Sequence, residues 1–204
     1  MPKVMILCAM RSEAAALPAQ YPSRIVGIGF RAAKRSTEAA ISEIKPDRIV
    51  SAGTCGALDP AITLGEVFTV SKIQSSLGEF HPVVLDANTT ELFSQDAVAI
   101  TVSEKHALRT QGASIVDMEA AAIAEVCARH GVPFACLKAV SDLATENLPI
   151  NFNQYRDVNG GFQNARIAFA GIMKIKALMR LQRQSKLAVR RLGEALAPAL
   201  KIYS

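Results

Sequence analysis

Short apolar runs rich in β-branched residues alternate along this chain with longer stretches of helical character. The apolar runs have the length of buried strands, and Pro46 and Gly131 punctuate the helical stretches. Such alternation predicts an α/β fold in which a central, mostly parallel, twisted sheet is covered by helices on both faces, in three layers. The predicted strands are residues 4–9, 24–26, 48–52, 67–73, 97–102, 114–116 and 134–140, and the predicted helices are residues 31–44, 103–111 and 118–130.

The length of the chain indicates one domain. With 204 residues, half of them apolar, the chain can bury one continuous core without disulfides or metals. Residues 1–161 are predicted to form the α/β core, and residues 162–204 are predicted to form a basic helical segment that completes the same domain. Residues 151–161 look loop-like, and the segment after them is predicted to contain one or two long helices, broken at Gly171 and Gly193.

The positive charge is concentrated at the end of the chain. The net charge is +5, yet residues 166–204 hold nine Lys or Arg against the single acidic residue Glu194. A solvated helix face is the commoner reason for such a run, and contact of a basic C-terminal helix with an anionic membrane surface is the alternative. Aromatic residues, which stack on nucleic-acid bases, are scarce among these charges, so no nucleic-acid partner is predicted.

The four cysteines predict neither a metal site nor a disulfide framework. Cys8, Cys55, Cys127 and Cys136 form no CxxC pair and have no histidine at a metal-ligand spacing. Reduced thiols and a cytoplasmic location are therefore expected, with no metal and no cofactor. The apolar start is too short for a secretory signal, and no run of about 18 apolar residues is available to span a membrane.

Ligands of α/β sheets bind beyond the carboxyl ends of the strands, so polar residues that follow the apolar runs are the candidates for a site. Residues 27–32 follow the second run and match the loose dinucleotide-binding pattern G-x-G-x-x-A. The pattern follows the second strand instead of the first, and Asp47, the acid at the expected distance, precedes its strand. We interpret Gly27 and Gly29 as a tight turn, with a nicotinamide site as the alternative.

Two glycines flank a hydroxyl group where the third run ends. In Gly53-Thr54-Cys55-Gly56, the glycines let main-chain N–H groups converge on an anion or a water molecule, and the Thr54 hydroxyl can donate or accept a hydrogen bond. An ordinary tight loop is an equally good interpretation. Cys55 has no predicted histidine beside it, so we interpret it as a small packed thiol and not as a nucleophile.

Carboxylates follow three of the predicted strands. Asp117 and Glu119 lie where a strand ends and a helix begins, and Met118 between them can cover a ligand while Glu119 accepts hydrogen bonds from sugar hydroxyls. Helix capping is the alternative role of these acids. Asp142 ends the last run, where partial burial raises the pKa of a carboxyl and suits a general acid; capping the next turn is its alternative role. Glu13 is its counterpart after the first run, and two carboxyls with divided duties suit cleavage of a glycosidic bond.

These segments together resemble the nucleoside phosphorylase and nucleosidase superfamily, with its purine and uridine phosphorylase fold. The likeness is most specific at residues 117–127, followed at the right distance by residues 132–134 and 139–142. Among the branches, the chain most resembles the 5′-methylthioadenosine/S-adenosylhomocysteine nucleosidases. The resemblance implies an enzyme that cleaves the N-glycosidic bond of a purine nucleoside with water. It also implies a homodimer whose partner helps to close the 5′ side of the site.

The resemblance further implies two catalytic residues. Glu13 would orient or deprotonate the attacking water, and Asp142 would protonate the purine at N7. Ser141 would help to fix Asp142. Protonation makes the base a leaving group, and the oxocarbenium-like sugar is then captured from its other face.

The resemblance implies substrate-binding roles for four more residues. Glu119 would hold the ribose hydroxyls, and Met118 would pack on the sugar. Thr54 would lie where the family has a serine close to the water or phosphate, and Gly56 belongs to the same segment.

The chain departs from the nucleosidase branch in its middle. Members of that branch have a longer segment before the Asp-Met-Glu motif, with a phenylalanine that stacks on the purine, whereas here residues 102–105 run straight into a helix. The compact middle and the basic tail resemble instead the hopanoid-associated phosphorylases, which are thought to act on adenosyl-hopane. A lipid-linked nucleoside would give the basic helix a purpose at a membrane surface. Phosphorolysis is therefore the alternative activity, and a catalytically silent nucleoside-binding or lipid-surface protein is the alternative outside enzymes.

One position predicts water as the acceptor. The phosphorylase branch has an arginine two residues before the first glycine of the Gly-Ser/Thr-Cys-Gly segment, where its guanidinium holds phosphate; this chain has Ser51 there. A serine offers one neutral donor, so a dianionic phosphate would lose its main charge partner. Arg11 and Arg31 are the residues that would restore phosphate binding from neighbouring loops.

Overall fold

The computed structural model describes residues 3–156 and 174–203, and it confirms the mixed α/β fold with a central sheet flanked by helices and a long C-terminal helix. The strands are β1 (Val4–Cys8), β2 (Ser23–Ile25), β3 (Arg48–Ala57), β4 (Val67–Ser75), β5 (Gly78–Phe80), β6 (Thr89–Ser94), β7 (Ile115–Asp117) and β8 (Phe134–Asp142). The α-helices are α1 (Arg11–Ala14), α2 (Phe30–Ile44), α3 (Val102–Arg109), α4 (Ala120–His130) and α5 (Ile175–Ala199). Short 3-10 turns form at Phe152–Tyr155 and Leu200–Tyr203.

The sheet is mostly parallel, and part of it closes on itself. Its strand order is β2-β1-β3-β7-β6-β4-β5, and β8 pairs with both β3 and β4. The pairs β1–β2, β1–β3, β3–β8, β4–β6 and β6–β7 are parallel, whereas β3–β7, β4–β5 and β4–β8 are antiparallel. The strands β3, β7, β6, β4 and β8 therefore form a closed ring of paired strands, which removes edges from the middle of the sheet.

Helices cover the sheet from two sides, and successive residues of one strand reach different helices. Met5 and Leu7 of β1 pack into a core with residues of α2 and α4, whereas Val4 and Ile6 pack into a second core with residues of α5. Because both faces are buried, β1 is apolar at every position instead of alternating. Each such side chain contributes about 1.5 to 3 kcal/mol when it is fully buried.

The predicted strand at residues 97–102 is wrong, and β6 takes its place in the sheet. The side chains of β6 alternate between more exposed and buried, and the buried ones include the polar Thr90 and Ser94, so β6 has no continuous apolar run. The apolar residues Ala97, Val98 and Ala99 instead line a cavity. The next residues begin α3, where Thr101 accepts a hydrogen bond from the Glu104 N–H as a helix cap.

The sequence predicts that the strand ends before Gly53, but β3 continues through Gly53–Gly56. Gly53 pairs with Lys138 of β8, and the register shifts by one residue between Cys55 and Gly56. A Cβ on Gly53 would lie 3.1 Å from Glu13 Oε1, and a Cβ on Gly56 would lie 2.9 Å from Asp142 Oδ2. The glycines therefore let two carboxyl groups lie directly against the strand.

The helix α5 is continuous, so the predicted break at Gly193 is wrong, and the break predicted at Gly171 lies outside the described residues. Gly193 marks a close contact instead, because a Cβ there would lie 2.6 Å from the carbonyl oxygen of Ala16. One face of α5 belongs to the core through Ala188, Leu192 and Leu196, so only its other face is solvated. Of the helices in residues 3–156 and 174–203, none is long and apolar enough to cross a membrane.

Candidate active site

Residues that end or follow β1, β3, β7 and β8 meet at one cavity of about 390 Å³. This volume lies within the range of cavities that hold small organic ligands. All seven residues that the sequence analysis proposed line the cavity: Glu13, Thr54, Gly56, Met118, Glu119, Ser141 and Asp142. The remaining wall is largely apolar and includes Leu148, Phe152 and, from α5, Leu181. The carboxyl ends of these strands therefore line the cavity, and the C-terminal helix contributes to its wall.

Glu13 is held by four donors in the short helix that follows β1. Its Oε2 accepts hydrogen bonds from the main-chain N–H groups of Ala9 and Met10, both at 3.0 Å. Its Oε1 accepts from the N–H of Thr54 at 2.8 Å and from the Thr54 hydroxyl at 3.0 Å. In all four of these hydrogen bonds the Glu13 carboxyl group is the acceptor, so its orientation is fixed. This network brings Glu13 and Thr54 together from distant parts of the chain.

Glu119 is buried at the junction of β7 and α4 and binds the turn that follows β2. Its Oε1 accepts a hydrogen bond from the N–H of Gly29 at 2.8 Å, so this turn binds a carboxylate of the protein. This contact favours the tight-turn interpretation of Gly27 and Gly29 over a nicotinamide site. Burial, and then the charge of Asp117, raise the pKa of Glu119 from 4.5 to about 8, while Lys138 opposes the shift. Glu119 therefore changes its charge close to neutral pH.

Lys138 is a part of the site that the sequence analysis missed. Its Nζ lies 2.7 Å from Oδ2 of Asp117, and both side chains are almost completely buried. Burial alone would lower the pKa of Lys138, but the charge and hydrogen bond of Asp117 together with Cys136 and Glu119 outweigh burial and hold the pKa above the ordinary value. Asp117 also accepts a hydrogen bond from the N–H of Ala120, which caps α4. A lysine inside an apolar strand was the available signal, because a buried ammonium requires an anionic partner.

Asp142 lines the cavity and has a second missed lysine as its partner. Its Oδ2 accepts a hydrogen bond from Lys105 Nζ at 2.6 Å, and its Oδ1 lies 3.1 Å from the Ser141 hydroxyl. That hydroxyl also lies 3.1 Å from the carbonyl oxygen of Cys55, so Ser141 joins β8 to β3 beside the carboxyl group. Burial raises the pKa of Asp142, although Lys105 and Ser141 oppose the shift.

The charged groups that line the cavity are all acidic. They are Glu13, Asp117, Glu119 and Asp142, and among the described residues no Lys, Arg or His lines the cavity. Ser51, Arg11 and Arg31 are not among the lining residues either, and Ser51 is buried within β3. Within the same part of the chain, no three or more His, Cys, Asp or Glu residues are grouped to hold a metal ion.

Cys55 lines the cavity without being a reactive thiol. It is buried, and desolvation raises its pKa well above the ordinary value, so the thiol stays protonated at neutral pH. This agrees with the interpretation of Cys55 as a small packed side chain.

Comparisons with known proteins give the family. The phosphorylase superfamily matches residues 88–175. A 5′-methylthioadenosine/S-adenosylhomocysteine nucleosidase of Staphylococcus aureus is 30% identical over 162 residues, which cover 63% of this chain and 71% of that protein. The chain belongs to the phosphorylase superfamily. A second nucleosidase of the same name, from another strain of that organism, is 27% identical over 162 residues and covers the same shares of the two chains.

Several solved structures share the fold of this chain. The 5′-methylthioadenosine/S-adenosylhomocysteine nucleosidase of Neisseria meningitidis, in complex with methylthio-immucillin-A, has a TM-score of 0.75 at 17% identity and covers 99% of this chain and 100% of that one. Futalosine hydrolase of Helicobacter pylori has a TM-score of 0.75 at 16% identity and covers 98% of both chains. At such identities the likeness establishes the fold, and the substrate has to be argued from the cavity.

Proposed function

We propose that this enzyme hydrolyses the N-glycosidic bond of a purine nucleoside, and that the nucleoside is a 5′-substituted adenosine such as methylthioadenosine or S-adenosylhomocysteine. One observation carries the proposal: the carboxyl groups of Glu13, Glu119 and Asp142 line a single cavity with an otherwise largely apolar wall. Relatives named as nucleosidases for these two nucleosides support the substrate class. Three carboxyl groups exceed what binding alone requires, since an acid at the base has a use only if the base departs.

In the proposed reaction, Asp142 gives its proton to N7 of the purine. The O–H bond of the carboxyl group breaks, an N–H bond forms, and the electron pair of the glycosidic bond moves to the base. The sugar is left with oxocarbenium character. Water attacks the anomeric carbon and passes a proton to Glu13, whose orientation is fixed by the donors of Thr54 and of residues 9 and 10. The products are the free base and the free sugar.

Glu119 is proposed to bind the ribose hydroxyls in its ionised form. An ionised carboxylate accepts both hydroxyl hydrogen bonds, and these bonds strengthen as positive charge develops on the sugar. Because the pKa of Glu119 is raised to about 8, the active fraction of this group increases with pH up to that value.

A pH series of Glu119→Gln against the unaltered enzyme tests this role. The ratio of kcat/KM, unaltered over variant, is expected to rise about tenfold per pH unit below 8 and to level off above it, because kcat/KM reports ionisation of the free enzyme. Groups that titrate independently of Glu119 affect both proteins alike and cancel in the ratio. A ratio that stays constant from acid to alkaline pH would remove the Glu119 carboxylate from the mechanism.

Water is proposed as the acceptor because the cavity wall is acidic. A dianionic phosphate would meet four carboxyl groups and no cation among the described lining residues, so its desolvation would not be compensated. We expect initial rates of base release to be unchanged between zero and about ten millimolar phosphate, far above typical substrate constants. A rate that starts near zero, saturates with phosphate and yields ribose 1-phosphate would replace the hydrolase with a phosphorylase.

Phosphorolysis of a lipid-linked nucleoside such as adenosyl-hopane is the second candidate, and the exposed face of α5 favours the lipid-linked substrate. Ile175 and Met179 are exposed there by 57% and 46%, among the exposed cations of residues 174, 176, 180 and 183. Apolar side chains within a basic face suit contact with an anionic membrane surface. The phosphate series above and salt-dependent binding to anionic vesicles separate this candidate from the first.

The cellular setting and the assembly are part of the proposal. The four cysteines are free thiols, which supports a cytoplasmic enzyme. The homodimer that the resemblance implies belongs to the same proposal.

A further inference from the structure

Lys105 is completely buried in α3, yet its ammonium group is fully hydrogen-bonded. Its Nζ donates to Asp142 Oδ2 at 2.6 Å, to the carbonyl oxygen of Leu143 at 2.6 Å and to the carbonyl oxygen of Glu146 at 3.2 Å. These acceptors use all three N–H groups of the ammonium. Asp142 lines the cavity and Lys105 does not, so Lys105 lies behind the carboxyl group.

Folding alone gives a weak reason for this buried pair. Removing two charges from water is costly, and apolar residues of similar volume often stabilise a protein as well or better. The other buried residue of α3 is Leu108, an apolar side chain that needs no counter-charge when it is buried. A lysine that is held by three acceptors and aimed at one carboxylate therefore calls for a role at that carboxylate.

We infer that Lys105 is a positioning residue that holds the Asp142 carboxyl group at the cavity wall and offsets the negative charge that this group acquires when it gives its proton to the departing base. The inference rests on the proposed function. During the step the carboxyl O–H bond breaks, the proton moves to the purine, and the electron pair stays on Asp142. Lys105 keeps its own protons, and its positive charge remains beside the new carboxylate.

The groups around Asp142 shift its pKa in known directions. Burial raises the pKa of Asp142, Lys105 from α3 lowers it, and Glu146 from the segment after β8 raises it. Cys55 of β3 faces the same carboxyl group, and its own pKa is raised so far that the thiol stays neutral. Lys105 is therefore the nearby charge that makes proton release from Asp142 easier.

Lys105→Met tests the inference through the titration of Asp142. The carboxyl ¹³C resonance of Asp142, assigned by comparison with Asp142→Asn, is expected to titrate about 1 to 3 pH units higher in the variant. With methylthioadenosine, kcat is expected to fall at least about tenfold while KM changes little, because Lys105 lies outside the cavity wall. Lys105→Arg keeps the positive charge, so the midpoint of the Asp142 titration is expected to return most of the way to its value in the unaltered protein.

Two controls distinguish a local charge from general damage. Lys72→Met removes a lysine that pairs with Glu79 and Glu91 away from the cavity, and it is expected to leave the Asp142 titration unchanged. Glu146→Gln removes a negative neighbour, so it is expected to move that titration to lower pH.

Each outcome decides the inference. A folded Lys105→Met protein with the Asp142 titration unmoved overturns it and leaves the proposed function standing. Absence of turnover in the unaltered protein overturns both. If Lys105→Met does not fold, the Lys105 ammonium ¹⁵N resonance of the unaltered protein is followed instead. As pH is varied, its chemical shift is expected to change with the same midpoint as that of the Asp142 carboxyl group. A Lys105 chemical shift that does not change across the Asp142 titration overturns the inference.

Discussion

Replacing Asp142 with asparagine is expected to lower the turnover of methylthioadenosine by on the order of 10²-fold or more, because an amide cannot give a proton to the departing base. Asparagine keeps the shape of the side chain, and its amide oxygen can still accept the hydrogen bond of Lys105. Substrate binding is therefore expected to survive better than kcat. Release of adenine, followed by chromatography at several substrate concentrations, measures both quantities.

The Asp142→Asn variant is also expected to be less stable, because Asp142 pairs with the buried Lys105. Above the pH at which Asp142 ionises, Asp142→Asn leaves the ammonium of Lys105 buried without a counter-charge, so the folded state is expected to lose stability there as well as activity. The double variant Asp142→Asn/Lys105→Met removes both charges and is expected to regain stability while turnover stays low. Near-normal turnover in a folded single variant would remove Asp142 from the mechanism.

A matched control uses an ion pair of the same length near the surface. Asp59 lies 2.6 Å from Arg109 with both side chains partly exposed, and neither residue lines the cavity. Asp59→Asn is expected to change stability by about 1 kcal/mol or less and to leave turnover unchanged, because solvent screens such pairs.

The sequence predicts the strands that are buried on both faces better than those that are not. β1 and β8 have near-continuous apolar runs because helices or other strands cover both of their faces. β6 has polar residues on its buried side as well as on its more exposed side, so its sequence resembles a polar segment. The apolar residues 97–99 resemble a strand in the sequence, because apolar character alone does not distinguish a strand from a cavity wall.

The positions of the candidate residues followed from topology, whereas their partners did not. Glu13, Glu119 and Asp142 each follow a strand, and the fold brings those strand ends to the same place. Lys105 and Lys138 find their carboxylates through contacts between distant segments, which no local pattern encodes. A buried lysine is visible in the sequence only as a cation that interrupts an apolar strand or helix face.

The two lysines explain how four acids can line one cavity. Lys138 offsets Asp117 and also lowers the pKa of Glu119, while Lys105 offsets Asp142. Both lysines lie outside the cavity wall, so their charges stabilise the acids without providing a direct contact for an anionic ligand. This arrangement suits a neutral nucleoside and water, and it disfavours a phosphate dianion.

Lys138→Met is expected to destabilise the folded protein by about 3 to 5 kcal/mol, because it leaves the Asp117 carboxylate buried and uncompensated. That loss is a large part of the free energy of unfolding of a typical domain. Urea unfolding of the variant and of the unaltered protein measures the difference. The double variant Lys138→Met/Asp117→Asn removes both charges and keeps an oxygen that can cap α4, so it is expected to recover most of the stability.

Lys138→Met is also expected to change the ionisation of Glu119, the proposed ribose-binding group. Lys138 lowers the pKa of Glu119, so its removal is expected to raise that pKa above about 8 and to reduce the ionised fraction at neutral pH. Activity of the folded Lys138→Met protein is then expected to recover as pH increases, although Lys138 itself does not line the cavity. In the double variant the Asp117 charge is also absent, so the Glu119 pKa is expected to return towards its original value and the pH dependence with it. A double variant that regains stability but keeps the altered pH dependence would contradict this coupling, because the two buried charges that act on Glu119 oppose each other and disappear together.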